Sequence, residues 1–486
     1  MDMFTHLNYD VLNMILSLLS PCDAGNLART CKAAYHYAIP RFLSDVTLGL
    51  RFHRKPRSQL WSFCRFVLSN SPNRAMLLRR LDLRRDAFPW VEVEVEALLG
   101  NPRPSRAYTV DYSLAGLLAE VIQQADALEE VHVAGADPLL ASEPQLADAL
   151  ASRCRLRHLT LEKCGSVGLE CISRLSGDVR SLSLTVDDRY VRESSLYRNL
   201  SALSLVARTL QHLDVDDAIF VTGGLGPDVV LPAVRQLTLR GWADLSEILR
   251  IVPGLRILRL HTCRFRLSTF PPPVDPPRAE LDELITDAHV PLRCTVRRVE
   301  LQFNAFLQHD ALAMLERMDP VVLSSHAGWS LPARDVARRL PSLQHLEMHV
   351  KWRISDGVPD TPSEAWLVSY AALSASDARR SSLPQTSLVS VFSQLKLLGL
   401  VLHIGRGVMT DPTIPLDVLA RDIVNACNPS LRFIGVSLGL AVPTWYRCVR
   451  DDGPAGLCTR IEELPSWEGD LVGNRLRSLD RLHRDT

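Results

Sequence analysis

Apolar residues between positions 4 and 43 recur at helical spacing. The first run has the three-, four- and seven-residue intervals of one helix face, in Leu7, Val11, Met14, Ile15, Leu18 and Leu19. Pro21 ends that helix, because the residue before a proline avoids the helical region of backbone conformation. Two shorter helices follow before the unit closes at Pro40. Three helices of this size bury little surface by themselves, so they need the rest of the chain or a partner.

From residue 78 to residue 436 the chain repeats a different pattern, apolar-x-x-apolar-x-apolar. The last two apolar positions of each unit alternate with polar ones, which predicts a short strand with one buried face. Helical patterns such as Glu143–Leu150 and Ala311–Met318 lie between the units. The units are Leu78/Leu81/Leu83, Leu128/Val131/Val133, Leu156/Leu159/Leu161, Val179/Leu182/Leu184, Leu210/Leu213/Val215, Val234/Leu237/Leu239, Leu255/Leu258/Leu260, Val296/Val299/Leu301, Leu343/Leu346/Met348, Leu395/Leu398/Leu400 and Leu431/Ile434/Val436.

A strand followed by a helix, repeated in this way, is the sequence signature of a leucine-rich repeat. The intervals between units vary, so we expect an irregular array with inserted loops. The predicted fold class is α/β, with a small all-helical module followed by an irregular leucine-rich-repeat solenoid. The alternative is an ordinary α/β domain with leucine-rich strands. The predicted divisions are the helical module over 1–45, a connecting segment over 46–77, the repeat array over 78–440, and a C-terminal cap and tail over 441–486.

Composition narrows the classes of partner. The chain has 55 Lys+Arg and 55 Asp+Glu, so it lacks the basic excess that gripping a nucleic-acid backbone usually requires. No apolar run reaches the length that spans a bilayer, and we expect no membrane partner. The 11 cysteines form no Cys-x-x-Cys pair, which indicates neither a zinc framework nor a disulfide framework. Reduced thiols in the cytoplasm, the nucleus or both are the expectation.

Candidate chemistry is sparse. His345, Glu347 and His349 share one strand face, so a metal site is conceivable there. His158 and His212 occupy the same repeat position as His345, which favours surface residues in the repeat register over metal ligands. The sequence contains no phosphate-binding loop and no nucleophile, zinc-protease or Cys/His signature. We therefore expect no enzyme activity, no catalytic residue, no cofactor and no metal.

Residues 4–43 resemble an F-box. The positions that match the family pattern are Leu7, Asp10, Leu12, Ile15, Leu16, Leu19, Asp23, Leu27, Cys31 and Lys32. The departures are Asn8 for the usual proline, Ala24 for leucine, Thr30 for valine and Ala34 for the usual tryptophan. Followed by leucine-rich repeats, the chain is similar to F-box proteins of the fungal type.

The resemblance implies a role without chemistry in this chain. F-box proteins are substrate receptors of SCF-type (Skp–cullin–F-box) ubiquitin ligases. The box docks on the Skp adaptor, the adaptor links to a cullin scaffold, and the repeats hold a target protein, here of unknown identity. The alternative is a leucine-rich-repeat interaction scaffold that joins no ubiquitin ligase. The helices can also cap the first repeat, as solenoids require, and the two roles are compatible.

The resemblance also implies adaptor contacts for residues of the box. The apolar ones divide between holding the helices together and meeting the adaptor, and the pattern alone leaves that division open. The candidates are Leu7, Leu12, Ile15, Leu16, Leu19, Pro21, Leu27 and Cys31.

Target binding is predicted for the strand faces. On each repeat strand, the residues that flank and separate the two inward apolar positions are expected to face solvent. The candidates are Arg80, Asp82, His158, Glu162, His212, Asp214, Arg240, Arg259, Glu300, His345, Glu347 and Phe433. The last two strands are largely apolar at these positions, and an exposed apolar patch commonly marks a binding surface. The other interpretation is that the C-terminal segment, with Trp445, Tyr446 and Trp467, folds back over these strands as a cap.

Overall fold

The structure is a computed structural model that divides into two compact units, residues 1–235 and 236–486. The residues that it describes are 8–49, 56–70, 73–95, 105–186, 203–216, 229–243, 245–265, 280–288, 290, 292–302, 309–325, 338–350, 393–404, 416–438, 441–450 and 458–479.

The first unit begins with helices and continues with alternating strands and helices. Its elements are α1 (Tyr9–Leu18), α2 (Pro21–Ala28), α3 (Lys32–Ser44), β1 (Asp45–Leu48), α4 (Pro56–Leu68), β2 (Arg80–Leu83), β3 (Trp90–Val95), β4 (Ser105–Val110), α5 (Ala115–Gln124), β5 (Glu130–Val133), α6 (Ala136–Ser142), α7 (Pro144–Ala151), β6 (His158–Cys164), α8 (Ser166–Ser173), β7 (Ser181–Val186), α9 (Leu203–Val206) and β8 (His212–Asp216), with 3₁₀ turns at Ala75–Leu77 and Arg85–Ala87. Strands β1, β2, β5, β6, β7 and β8 form a parallel sheet in that order, and β3 pairs with β4 as a separate antiparallel hairpin.

The second unit repeats the strand pattern and ends differently. Its elements are β9 (Gln236–Ala243), α10 (Leu245–Ile251), β10 (Ile257–Phe265), β11 (Glu280–Thr286), β12 (Thr295–Leu301), α11 (His309–Met318), β13 (Val322–Ser325), β14 (His345–Val350), β15 (Gly399–Ile404), α12 (Leu416–Ala426), β16 (Phe433–Leu438), β17 (Thr444–Arg450), β18 (Cys458–Glu463) and α13 (Ser466–Arg477). Strands β9 to β16 are parallel to their neighbours, whereas β17 and β18 are added antiparallel at the edge.

Leucine-rich strand faces build the cores of both units. Leu81 and Leu159 are buried in the first unit and Leu258 in the second, as the alternation predicts. The α/β class and the helical N-terminal region are confirmed by the order of the elements. Burial of these apolar side chains is the main free-energy source of the fold. Among the described helices, none has both the length and the apolar composition needed to cross a bilayer.

Strand register corrects one repeat unit. The sequence pattern places Leu395, Leu398 and Leu400 in the inward positions, but Leu400 pairs with Leu346 and Leu402 pairs with Met348. The inward set is therefore Leu397, Leu400 and Leu402, two residues later than predicted. The run Leu395-Lys-Leu-Leu-Gly-Leu-Val-Leu satisfies the template in both frames, and only pairing with β14 selects between them.

Three parallel strands fall outside the predicted set. Strand β1 lies in the segment predicted as a connection, yet it pairs with β2 and buries Val46 and Leu48. Strands β11 and β13 carry Thr286 and Ser325 where the template expects an apolar residue, and both polar residues are buried. The template missed β11 and β13 because it required an apolar third position. Strand β1 has apolar residues at all three positions, Leu43, Val46 and Leu48, but it precedes residue 78, where the predicted array begins.

A buried carboxylate joins two helices of the first unit. Asp137 on α6 accepts hydrogen bonds from the backbone N–H groups of Gly165 and Gly168, both at 2.9 Å. These amides belong to the first turn of α8, where backbone donors lack intrahelical partners. Asp137 thus caps α8 from a different element.

Candidate protein-docking surfaces

The three N-terminal helices share a small core. Leu12 and Leu16 on α1 pack with Ala24, Ala28 and Ala38 from the other two helices. Because three of these five side chains are alanines, the helices approach each other closely and the core is thin.

Local capping fixes where these helices begin. Asn8 accepts from the N–H of Asp10 at 3.0 Å, and Ser20 accepts from the N–H of Asp23 at 3.1 Å. Pro21 occupies the first turn of α2, where its missing N–H costs nothing. Cys31 caps α3 with its Sγ, 3.4 Å from the N–H of Ala34.

The opposite face of α1 is apolar and exposed. Met14 and Leu18 are 66% and 81% exposed, and Val11 and Ile15 on the same face are also exposed. The four residues, called here the α1 stripe, have the intervals of a single helix face. Helix α1 is therefore apolar on both sides, and in the described part of the chain only the Leu12/Leu16 side packs against its own protein. A contiguous exposed stripe of this kind is typical of an interaction site.

The predicted adaptor-binding residues differ in how exposed they are in the structure. Leu12 and Leu16 are core residues, while Ile15 and Cys31 are exposed. Leu19, Pro21 and Leu27 are half-buried, and Leu7 lies outside the described residues. The set missed Val11, Met14 and Leu18, although their helical spacing was the signal that could have found them.

Contacts also fasten the N-terminal helices to the rest of the first unit. Arg74 donates to the Tyr35 hydroxyl at 2.7 Å and to the backbone carbonyl of Phe66 at 2.6 Å. Arg41 donates from Nε to the carbonyl of Leu19 at 2.9 Å, which ties α3 to the end of α1. These hydrogen bonds therefore hold in place the helices that carry the α1 stripe.

In the first unit most of the predicted target-binding residues are accessible. Arg80, His158 and His212 are exposed, and Glu162 and Asp214 are half-buried. Arg80 forms an ion pair with Glu130 at 3.3 Å.

Asp82 differs from that prediction because it is buried. Its carboxylate contacts Nδ1 of His132 at 2.6 Å and Nη2 of Arg84 at 2.8 Å. Nε2 of His132 then contacts Glu162 at 3.0 Å. His132 occupies the strand position between the two inward residues of β5, and that position is the signal by which the sequence could have found it.

A cavity of about 350 Å³ lies where strands β7 and β8 begin. Arg180, Arg208 and Arg235 line it together with Asp178, Thr209 and Gln211. Three guanidinium groups against one carboxylate make this edge of the first unit locally basic.

In the second unit, charged side chains alternate across neighbouring strands. Arg298 contacts Glu283 at 3.0 Å and Glu300 at 3.3 Å, and Arg259 contacts Glu283 at 3.4 Å. These residues and Arg240 are half-buried, so the predicted sites Arg240, Arg259 and Glu300 remain partly accessible.

The C-terminal helix covers the last parallel strands. Trp445, Leu476 and Leu479 form one buried cluster with Val401 on β15, and Phe433 packs against it. Arg297 on β12 donates to the carbonyls of Arg477 and Leu479, both at 3.2 Å, which satisfies free acceptors at the end of α13. Phe433 is therefore part of a covered surface in this chain, as the cap interpretation expects.

His345 and Glu347 are also buried under this cover, which corrects their predicted exposure. Burial lowers the pKa of His345 to about 4, because the apolar surroundings disfavour the charged ring. Burial by itself would raise the pKa of the Glu347 carboxyl. The hydrogen bond from His403 and the charge of Arg477 outweigh that effect and hold this pKa well below its usual range.

Comparison with known proteins identifies the N-terminal helices. The F-box domain family matches residues 4–38. No curated protein matches the chain. Among solved structures, the crystal structure of the mouse RP105/MD-1 complex aligns at 14% identity with a TM-score of 0.28, covering 67% of this chain and 58% of that chain. At this TM-score the likeness carries no weight for fold or function.

Proposed function

We propose that this chain is a substrate-recognition subunit of an SCF-type ubiquitin ligase. The observation that carries the proposal is the exposed α1 stripe within the F-box match at residues 4–38. F-box domains generally bind the Skp adaptor in SCF complexes, so at the family level the match supports this role. In the proposal, the adaptor covers the α1 stripe and through it a cullin scaffold is recruited.

Burial of the stripe would supply the docking free energy. The side chains of Met14 and Leu18 are long, apolar and exposed outside the core. Their transfer from water into an interface is therefore favourable, and it breaks no packing contact within the core. Stable interfaces bury on the order of 1,000 Å² or more, so Cys31 and Pro21 at neighbouring helix ends would extend the contact.

Target recognition is assigned to the first unit in this proposal. The parallel strands with intervening helices would be an irregular leucine-rich-repeat array, and its strand faces would bind the target protein. Exposed His158 and His212 and the arginine-lined cavity support this placement, because the strand faces near Phe433 are already covered by α13. The role requires no catalytic residue in this chain and would be carried out in the cytoplasm, the nucleus or both.

Coexpression with a Skp adaptor tests the docking role. The double variant Met14→Glu/Leu18→Glu should lose copurification of the adaptor, because two carboxylates would be buried in an apolar contact. Leu471→Glu is the matched control, since Leu471 is a leucine that is 61% exposed on helix α13. If the parent chain, the double variant and the control recover equal amounts of adaptor, with unchanged melting curves, the result would favour the alternative function, an interaction scaffold that joins no ubiquitin ligase.

A further inference from the structure

Two histidines and a glutamate converge on one strand face of the second unit. His349 on β14 and His403 on β15 are direct partners in the strand register, and their rings stack with centroids 4.1 Å apart. Glu347 lies two residues before His349 and so projects from the same face. Its Oε1 is 2.9 Å from Nε2 of His403 and 3.9 Å from Nε2 of His349.

These spacings fit a small divalent ion. One ligand atom from each of the three side chains lies within 4.8 Å of the other two. A tetrahedral zinc ion with bonds of about 2.0–2.1 Å holds its ligands about 3.3 Å apart. Because the rings of His349 and His403 are stacked with 11° between their planes, the His349 ring must turn about its side-chain bonds before both nitrogens point at one ion. A set of two imidazoles and one carboxylate suits zinc, whereas magnesium and calcium prefer oxygen ligands alone.

Neighbouring groups already orient two of the donors. Nδ1 of His403 contacts Oγ of Ser437 at 2.7 Å, which fixes the ring and directs Nε2 towards Glu347. Arg477 contacts Oε2 of Glu347 at 3.3 Å and reaches Oε1 at the same distance through its other nitrogen. A metal on Oε1 would therefore replace the contacts of Oε1 with Arg477 and with Nε2 of His403, and it would leave the Oε2 contact intact.

We propose that Glu347, His349 and His403 bind a zinc-class divalent ion, with an open fourth position for water. The ligand set differs from His345, Glu347 and His349, which share a strand face in the sequence and from which no metal site is expected. His345 is fully buried, and the third donor comes from the next strand. The rings of His349 and His403 keep 26% and 15% of their side-chain surface accessible, which leaves a route for an ion to enter. This site stands independently of adaptor docking.

Metal titration of the full chain tests the site. The chelator-treated protein, with its cysteines kept reduced, should bind one equivalent of Zn²⁺. His349→Gln and His403→Gln should each weaken the Zn²⁺ affinity by at least about 100-fold, because losing a group that only supports a ligand already costs up to about that factor. His158→Gln and His212→Gln, which alter exposed histidines of the first unit, should leave that equivalent unchanged. Equal binding by all these variants, or none by the parent chain, overturns the proposal.

The absorption spectrum of bound Co²⁺ tests the site in the parent chain, so this test does not require any variant to fold. Co²⁺ bound to the parent chain should show the absorption of a tetrahedral nitrogen and oxygen site, without a sulfur-to-cobalt charge-transfer band. A charge-transfer band on the first equivalent would assign the metal to cysteines and contradict the proposal. Excess Mg²⁺ should leave the cobalt spectrum unchanged, and displacement of cobalt by Mg²⁺ would also contradict it.

Discussion

Leu16 and Leu18 lie two residues apart on helix α1, yet Leu16 is 5% exposed and Leu18 is 81% exposed. A helix turns by about 100° per residue, so positions two apart point to opposite sides. The first leucine belongs to the core of the N-terminal helices and the second to the α1 stripe. One short helix thus carries a structural face and a binding face.

This division predicts opposite effects for the same substitution. Leu16→Ala should cost about 2–4 kcal/mol locally, because it leaves a cavity in a core otherwise made largely of alanines. Leu18→Ala should change the stability by less than about 0.5 kcal/mol, as an exposed position does. Hydrogen exchange of the amides in residues 8–44 reads this local stability. Equal loss of protection in both variants would contradict the assignment of the two faces.

The two tryptophans of the C-terminal segment offer a second matched comparison. Trp445 is 4% exposed beneath α13, whereas Trp467 on that helix is 65% exposed. Trp445→Ala should lower the free energy of unfolding of the second unit by about 3–5 kcal/mol, and Trp467→Ala should leave it nearly unchanged. Thermal melting of the two variants is the measurement. A small effect of Trp445→Ala would mean that α13 does not cover the sheet in solution.

Phe433→Ala addresses the target-site interpretation directly. Because Phe433 packs against the cluster around Trp445 and is only partly buried, the substitution should cost roughly 2–3 kcal/mol, somewhat less than for a fully buried ring. A melting temperature equal to that of the parent chain would return Phe433 to the candidate target-binding residues.

The cap of α8 gives a prediction within the first unit. Asp137→Ala leaves the N–H groups of Gly165 and Gly168 without their acceptor in a buried environment, at an expected cost of about 2–3 kcal/mol. Asp148→Ala is the control, because its ion pair with Arg174 is exposed and surface pairs contribute about 0–1 kcal/mol. Urea unfolding followed by the signal of the first unit compares them, and equal midpoints would contradict the capping role.

Cysteine reactivity separates exposed from buried thiols. Burial raises the pKa of Cys171 to about 12, so at pH 8 this residue has almost no reactive thiolate. Cys31 and Cys154 are exposed and should react with iodoacetamide. Bound Skp adaptor should slow alkylation of Cys31 and leave that of Cys154 unchanged. Peptide mass spectrometry measures both rates, and equal rates for Cys31 with and without adaptor would remove it from the proposed contact.

The sequence predicted the strands more reliably than the surfaces. Leu81 and Leu258 could be assigned to the core because alternation along a strand is a local property. The register of Leu400 and the burial of His345 depend on neighbours distant in sequence, namely β14 and α13. Contacts between distant residues produce no periodic pattern in the sequence, so the repeat template could not predict them.

The candidate sites show the same limit. The exposed and buried sides of α1 were both present in the apolar pattern, but the pattern does not say which side meets the small residues Ala24 and Ala38. The pairing of His349 with His403 arises only after the strands are in register, across an insert of many residues.

The affinity of the full chain for a Skp adaptor tests the central claim most directly. Titration calorimetry should show that Leu18→Ala weakens binding by at least about tenfold, which corresponds to about 1.4 kcal/mol, and that Met14→Ala has a similar effect. Leu471→Ala should leave Kd within about twofold of the parent value, because that exposed leucine lies outside the F-box match. Unchanged affinity in both α1 variants, with the fold intact, would contradict adaptor docking through the α1 stripe.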